Sequence, residues 1–324
     1  MSKKDFVHLH VHTEYSLLDG INKVDKLCQH VKDSGMKACA ITDHGVMGGI
    51  VEFYKAATKV GIKPILGVEA YVTWDEDGLE NTNKTRDNAH LVMLAQSEHG
   101  LNNIISLTNK AFLNNFYYKP RVSVNNLGDH NTNDIIATSA CLGGVICKAG
   151  IRDEETKTFK DPEGICQSRL EMFAKLFPGR FYAEVQDFPK SWAQVAYNEW
   201  LIKAAREMNI PLIITCDAHF LTKDDFETHR LIMSKNTGKF LNEYDADDDG
   251  LFYYPEHCIR TSEDMYEAAC KMGVEEAFSN TKEIAKQCNV ELTLGEYKFP
   301  HFDIAAESDY QEFLEWQKNN TNIQ

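Results

Sequence analysis

The sequence predicts an α/β fold in which seven strands alternate with helices and the sheet closes into a barrel. Three observations carry this expectation. Short apolar or alternating runs at 6–11, 38–41, 65–74, 91–95, 135–138, 181–185 and 212–215 are separated, in most cases, by helical-period stretches at 22–34, 49–60, 101–112, 168–177 and 191–208. Gly35, Gly61, Gly100 and Gly179 punctuate the junctions between helices and strands. Residues able to ligate metals gather at the edges of the strand-like runs, as they would at a barrel mouth where the C-terminal ends of the strands converge.

Taken in order, the first run leads into HLHVHT, where His10 and His12 stand two apart and therefore share one strand face. Two imidazoles side by side fill a core poorly and hold a metal well. SLLDG follows with Asp19, then a helix, then the 38–41 run entering ITDHG with His44. The next helix leads to the 65–74 run, which carries Glu69 in LGVEAY. His90 in NAHLVML opens its strand instead of closing it, so the barrel is expected to be irregular there. The 135–138 run enters ATSACLGG with Cys141; Glu184 and Gln186 end the sixth strand; and 212–215 enters TCDAHF with Asp217 and His219. Beyond residue 222 come helical stretches at 224–234, 262–271 and 274–287, then a Gly/Pro-punctuated connection and a short helix from Ser308. The closing NNTNIQ has no cap and little apolar content, and is expected to be a cut end or the end of a split chain.

The composition bounds the function. A chain of 324 residues can bury a large core. No apolar run approaches a membrane span, and MSKKD leads straight into a strand, so a cytoplasmic protein without membrane association is expected. Nine cysteines without a CxxC pair suit free thiols in a reducing compartment. A net charge of −15 argues against nucleic-acid binding by bulk electrostatics, although divalent cations in an acidic pocket would invert the field locally.

His10, His12, Asp19, His44, Glu69, His90, Cys141, Asp217 and His219 exceed what one metal needs, and predict a cluster of two or three ions. Histidine and cysteine mixed with carboxylate favour zinc, manganese or iron over magnesium. Other candidates have blander explanations. His30, His99, His130, His229 and His257 are taken as ordinary core or surface residues, and His8 as packing or support behind the ligands. Asp43 either orients a ligand or caps its turn, while Glu184 and Gln186 either line the pocket or face solvent. Asp245, Asp247, Asp249, Gly250 and Glu256 fit the D-x-D-x-D-G-x5-E spacing of a calcium loop. Pro255 and the strand-like Phe252-Tyr253-Tyr254 oppose an exit helix, so a solvated acidic turn is expected instead.

HLHVHTEYSLLDG, ITDHGVMGGIVEFY, KPILGVEAYV, FYYKPRVS, ATSACLGG and NTKEIAKQCNVEL together resemble the N-terminal region of bacterial DNA polymerase III alpha subunits, the polymerase-and-histidinol-phosphatase (PHP) domain. The resemblance covers essentially the whole chain. It implies a distorted seven-stranded (β/α) barrel over residues 1–284 with a helical C-terminal extension, and a connection toward the polymerase palm over 285–324. The polymerase active site would lie outside this chain. By resemblance to trinuclear members, one metal takes His10, His12, Glu69 and Asp217, which would carry the catalysis. A second takes Glu69, His90 and Cys141, with Glu69 bridging, and a third takes Asp19, His44 and His219. No ligand of that set is missing here.

The activity so implied is a metal-dependent 3′–5′ exonuclease acting on a DNA primer 3′ end, with Lys119 and Arg121 of FYYKPR as phosphate contacts or as packing. Its partners would be the remainder of the alpha subunit and a separate proofreading subunit. A small-molecule phosphoesterase or pyrophosphatase could use the same metals. A non-catalytic, metal-stabilised scaffold is the third expectation, which loss of ligands would have favoured.

Overall fold

A computed structural model of the chain describes residues 6–74, 88–129, 132–238, 240–241, 253–296 and 307–319. The elements follow the order α1 (Val24–Asp33), β1 (Ala38–Ile41), α2 (Ile50–Val60), β2 (Lys63–Thr73), β3 (Ala89–Ala95), α3 (Glu98–Leu113), β4 (Phe116–Tyr117), β5 (Lys119–Ser123), α4 (Val124–Asp129) and β6 (Ile135–Thr138). A small hairpin, β7 (Ile151–Asp153) and β8 (Thr158–Lys160), precedes α5 (Ile165–Leu176), β9 (Phe181–Gln186), α6 (Trp192–Glu207), β10 (Leu212–Thr215), α7 (Phe226–Thr237), α8 (Ser262–Met272) and α9 (Glu275–Gln287). These belong to one compact unit, Met1–Glu291; the second unit, Leu292–Gln324, contains α10 (Glu307–Asn319).

Local chemistry sets the helices. In α1 the buried Val24, Leu27, Cys28 and Val31 recur at three- and four-residue spacing, a single apolar stripe. Ser97 caps α3 by accepting from the Gly100 amide, and Thr261 and Asp264 form a capping box on α8. The α2 helix stops at Gly61, whose φ of 80° lies in the left-handed region.

The sheet runs β10–β9–β6–β3–β2, and β2 is long enough to pair with β1 through its first half and β5 through its last residues. Residues 6–11 close the ring. The His8 carbonyl accepts from Ala40 N at 2.8 Å on the β1 side, and the Ala218 carbonyl, just after β10, accepts from His12 N at 2.8 Å on the other. This segment forms isolated bridges (His8 to Cys39, Val11 to Ala218) instead of the regular strand the sequence suggests, because it touches each neighbour too briefly for a ladder.

One expectation is corrected. The alternation of strands and helices implied a parallel sheet, yet β3 runs antiparallel to both β2 and β6. No helical stretch separates the third and fourth apolar runs in the sequence, so no crossover returns the chain to the same end. The reversal explains His90: the start of an antiparallel strand lies at the end of the barrel where the parallel strands finish. The core beneath that mouth gathers Val7, Leu9, Ala40, Ile65, Val92, Leu94, Ile136 and Ile213. Ile284, Ala285 and Cys288, at the end of α9, belong to the same apolar cluster. Of the calcium-loop residues, Asp245, Asp247, Asp249 and Gly250 lie outside the described residues, as does His130; Glu256 stands 3.7 Å from Lys223 Nζ. No described helix is long and apolar enough to cross a membrane.

Candidate metal centre

Each of the nine ligand-type residues leaves its strand or turn at the same barrel mouth. His10 and His12 lie on the closing segment, Asp19 on the turn after it, His44 after β1, Glu69 within β2, His90 at the start of β3, Cys141 after β6, and Asp217 and His219 after β10. Leu18, Ala140 and Asp217 hold φ values of 63°, 57° and 46°. Non-glycine residues in this region cost of order 1–3 kcal/mol each, and here the cost is met at three ligand-bearing turns.

Glu69 is the hub. Its Oε1 lies 3.2 Å from His10 Nε2 and 3.0 Å from His90 Nδ1, and its Oε2 lies 3.4 Å from His12 Nε2 and 2.6 Å from His44 Nδ1. Asp217 Oδ1 lies 3.2 Å from His10 Nε2 and 3.3 Å from His12 Nε2. Cys141 Sγ lies 3.4 Å from His90 Nδ1 and 3.9 Å from Glu69 Oε1. Asp19 Oδ2 lies 3.0 Å from His44 Nε2, and its Oδ1 3.6 Å from His219 Nε2. The sets His10–His12–Glu69, His44–Glu69–His90 and His12–His44–His219 each bring three ligand atoms within 4.8 Å of one another.

The far nitrogen of three histidines is already committed. His10 Nδ1 donates to Glu184 Oε1 at 2.7 Å, and His219 Nδ1 to the Asp217 carbonyl at 2.8 Å. His12 Nδ1 meets Ser16 Oγ at 3.0 Å; since Ser16 donates to Asp43 Oδ1 at 2.7 Å, the histidine is the donor. Each imidazole therefore turns the lone pair of Nε2 into the cluster, the tautomer a metal requires. Conversely, His10 Nε2, His12 Nε2, His44 Nδ1, Glu69 Oε2, Asp217 Oδ1 and Asp19 Oδ1 are buried without a hydrogen-bond partner among the described residues. So many inward-facing orphans are costly unless a cation satisfies them together. The residues fit metal ions.

Electrostatics agree. Burial would raise the Glu69 carboxyl, but His90, His10 and His44 outweigh it and hold the group well below the usual carboxylate range. Burial opposes charge on His44, yet Glu69 and Asp19 push its pKa up to about 10. Burial likewise opposes charge on His10, and Asp217, Glu184 and Glu69 hold it well above its ordinary value. Burial and the neighbouring His12 lower His219 to about 3. Burial, Glu69 and Asp217 push the Cys141 thiol up. Glu69 thus retains negative charge that demands a positive partner.

The centre opens on one side. Glu69 and His10 are fully buried, whereas the His90 side chain is 22% exposed, Asp19 14% and His44 13%. There a cavity of about 830 Å³ is lined by His44, His90, Cys141, Asp217 and His219, with Lys148, Arg152, Phe188, Trp192 and Tyr254 farther out.

Residues named only as alternatives now have places. Glu184 is buried behind His10, where Thr138, Thr215 and Gln186 all donate to its carboxylate. Asp43 orients His12 through Ser16 and also accepts from Thr13 N at 2.6 Å and Thr13 Oγ1 at 2.8 Å. His8 faces Arg260 O and Cys216, away from the cluster. Arg121 is buried with its Nε donating to the Asn115 carbonyl at 3.0 Å, a packing position, while Lys119 sits 5.0 Å over the Tyr71 ring. Ser16, His229, Tyr253, His257, Lys148 and Arg152 were not anticipated at the site. His229 and Met233 share the buried face of α7, a spacing readable in the sequence, but the wall cations carry no such signal.

Residues 8–188 match the model of the PHP domain. The chain is 35% identical to the DNA polymerase III subunit alpha of Helicobacter pylori across 91% of its own length and 24% of that protein's. It is 33% identical to the corresponding subunit of Aquifex aeolicus (96% of this chain, 27% of the relative) and 34% identical to that of Thermus aquaticus (94% and 24%). The chain thus spans about a quarter of the length of these curated relatives. Among solved structures, an amidohydrolase from Chromobacterium violaceum aligns at a TM-score of 0.42 and 15% identity, covering 66% of this chain and 87% of that one.

Proposed function

The chain belongs to the PHP domain family, and on that premise we propose that it is a metal-dependent phosphodiesterase removing nucleotides from the 3′ end of a DNA primer. One observation carries the proposal: the unpartnered ligand atoms of His10, His12, His44, Glu69, Asp19 and Asp217 converge, and two of these residues, His44 and Asp217, line an open cavity. Two or three ions of zinc, manganese or iron would be held by the nine residues in the sets His10–His12–Glu69–Asp217, Glu69–His90–Cys141 and Asp19–His44–His219. When bound, such ions activate water near neutral pH and neutralise charge on a phosphodiester and its leaving oxygen.

The chain's own residues do the rest. Glu184 and Ser16 fix His10 and His12 in the ligating tautomer, and Glu69 holds several imidazoles in register. The closed, apolar barrel beneath them keeps bulk water on the open side only. A cavity of about 830 Å³ falls in the roughly 300–1,000 Å³ range of sites for whole organic ligands. That favours a nucleotide end over a bare phosphate or pyrophosphate. Lys148 and Arg152 on its wall supply local positive charge in a chain whose net charge is −15.

Similarity to polymerase III alpha subunits motivates the rest of the assignment. The remainder of such a subunit would deliver the primer end, the segment after the barrel would lead toward it, and the compartment would be the cytoplasm. A scaffold that docks a separate proofreading subunit is the competing role, and a small-phosphate esterase the other.

The test is degradation of a 5′-labelled primer–template with a mismatched 3′ end, in manganese or zinc, with chelator and His10→Ala controls. Stepwise shortening abolished by both controls supports the exonuclease. No shortening by folded, metal-loaded protein removes it and leaves the scaffold or the small-phosphate esterase, which p-nitrophenyl phosphate and pyrophosphate then separate.

A further inference from the structure

Beyond the nine residues discussed so far, a tenth histidine points into the same mouth. His229, on α7, is fully buried, and neither of its ring nitrogens has a hydrogen-bond partner among the described residues. Its Nε2 lies 3.7 Å from Asp19 Oδ1, an atom equally without a partner. The ring is fixed from several sides: edge-on to Tyr253 at 4.7 Å, edge-on to His219 at 5.8 Å, and tilted on Phe220 at 5.1 Å. An imidazole that served only as packing would need at least one nitrogen satisfied, since a buried polar atom left unpaired is costly.

Around Asp19 the geometry gathers three imidazole nitrogens. His44 Nε2 stands 3.0 Å from Oδ2, while His219 Nε2 and His229 Nε2 stand 3.6 and 3.7 Å from Oδ1. Two donors each about 2.1 Å from a tetrahedral ion lie roughly 3.4 Å apart, and the three carboxylate-to-imidazole separations bracket that value. Resting on the metal-centre assignment made above, we infer that His229 is the fourth protein ligand of the ion held by Asp19, His44 and His219. One carboxylate and three histidines would then close that site to water and substrate. Closed four-ligand sites are structural, and catalytic ones keep a position open. This ion would therefore pin the Asp19 turn and α7 to the mouth, and the chemistry would fall to the ions around Glu69.

The test is metal content of the 324-residue chain after loading with zinc and gel filtration, with cobalt(II) loading as the spectroscopic counterpart. The comparison set is wild type, Asp19→Ala, His229→Phe, His229→Gln and the Asp19→Ala/His229→Phe pair, each checked for folding by circular dichroism. Phenylalanine keeps the packing shape, and glutamine keeps a donor toward Asp19 without an imidazole. The expected result is loss of one equivalent per chain in both His229 variants, with one fewer four-coordinate cobalt band and no further loss in the pair. His229→Phe retaining the wild-type content overturns the inference alone. Retention by His229→Gln but not His229→Phe reduces His229 to a hydrogen-bond partner of Asp19 and also overturns it. Further loss in the pair would place His229 on a different ion and overturns it too. A wild-type chain that binds no metal overturns the metal centre itself, and this ligand with it.

Discussion

Glu184 and His10 form a buried pair, Oε1 to Nδ1 at 2.7 Å, in which the carboxylate never reaches the cluster but decides which histidine nitrogen does. Thr138, Thr215 and Gln186 saturate the carboxylate, so it cannot turn away. Replacing Glu184 by Gln is expected to weaken metal affinity by roughly 10–100-fold while the barrel stays folded. Competition against a chromophoric chelator measures this, and unchanged affinity would show that His10 needs no such support.

Ser16 joins His12 to Asp43, donating to the carboxylate and accepting from His12 Nδ1 and His44 N. Ser16→Ala leaves those buried donors unpaired and is expected to cost about 1–3 kcal/mol in denaturant unfolding of the metal-free chain. A variant as stable as wild type would mean that water replaces the hydroxyl.

Gly143 packs tightly against His90 at the mouth. A Cβ there would lie 3.2 Å from His90 Nδ1 and 3.5 Å from Cys141 Sγ. Gly143→Ala should therefore displace the His90–Cys141 arm and lower occupancy of that ion alone, seen as loss of the cobalt–thiolate charge-transfer band with the remaining bands kept. Loss of every band together would point to general misfolding.

Metal loading is expected to depend on pH through His44. Burial works against its protonation, but Glu69 and Asp19 raise its pKa to about 10 in the metal-free chain. A metal must displace that proton, so apparent affinity should rise with pH up to about 10. The metal-free fold behaves oppositely: a raised pKa contributes stability fully below the ordinary value of about 6.5, and that contribution fades as pH climbs through about 10. The difference in melting temperature between loaded and chelated protein should widen across this window; a constant difference would mean that His44 titrates in neither state.

Chelation should also destabilise the fold. Binding confined to the native state adds about 2.7 kcal/mol when free metal is a hundredfold above its dissociation constant. Calorimetry with and without EDTA measures the loss, and coincident melts would show that the cluster folds equally well without ions.

Much of the site was legible because metal chemistry restricts residue types. HLHVHT, SLLDG, ITDHG and TCDAHF each put a histidine or aspartate at a turn, and all of them meet at one mouth. Helix limits followed from stripes and caps. The direction of β3 was not legible, since an apolar run reads the same in either sense. Only His90, a ligand at the wrong end of its strand, hinted at reversal. The β4–β5 pairing and the β7–β8 hairpin are too short to show a period. His229 was passed over because a lone histidine on a helix carries no partner in its sequence neighbourhood; Asp19, its neighbour in space, is on another element altogether.

The closing segment has a consequence for biosynthesis. His8 contacts Cys216 across 208 positions of sequence, and the His12 amide reaches Ala218 beside it. A ribosome therefore releases the first histidines long before the strand end that completes their ring. Contacts so distant in the chain form slowly, and a nascent chain displays unsatisfied imidazoles and an open sheet edge until then. Any metal capture that needs the whole ring would thus come at the end of assembly, and a chaperone or a free ion arriving early would meet a half-built cup.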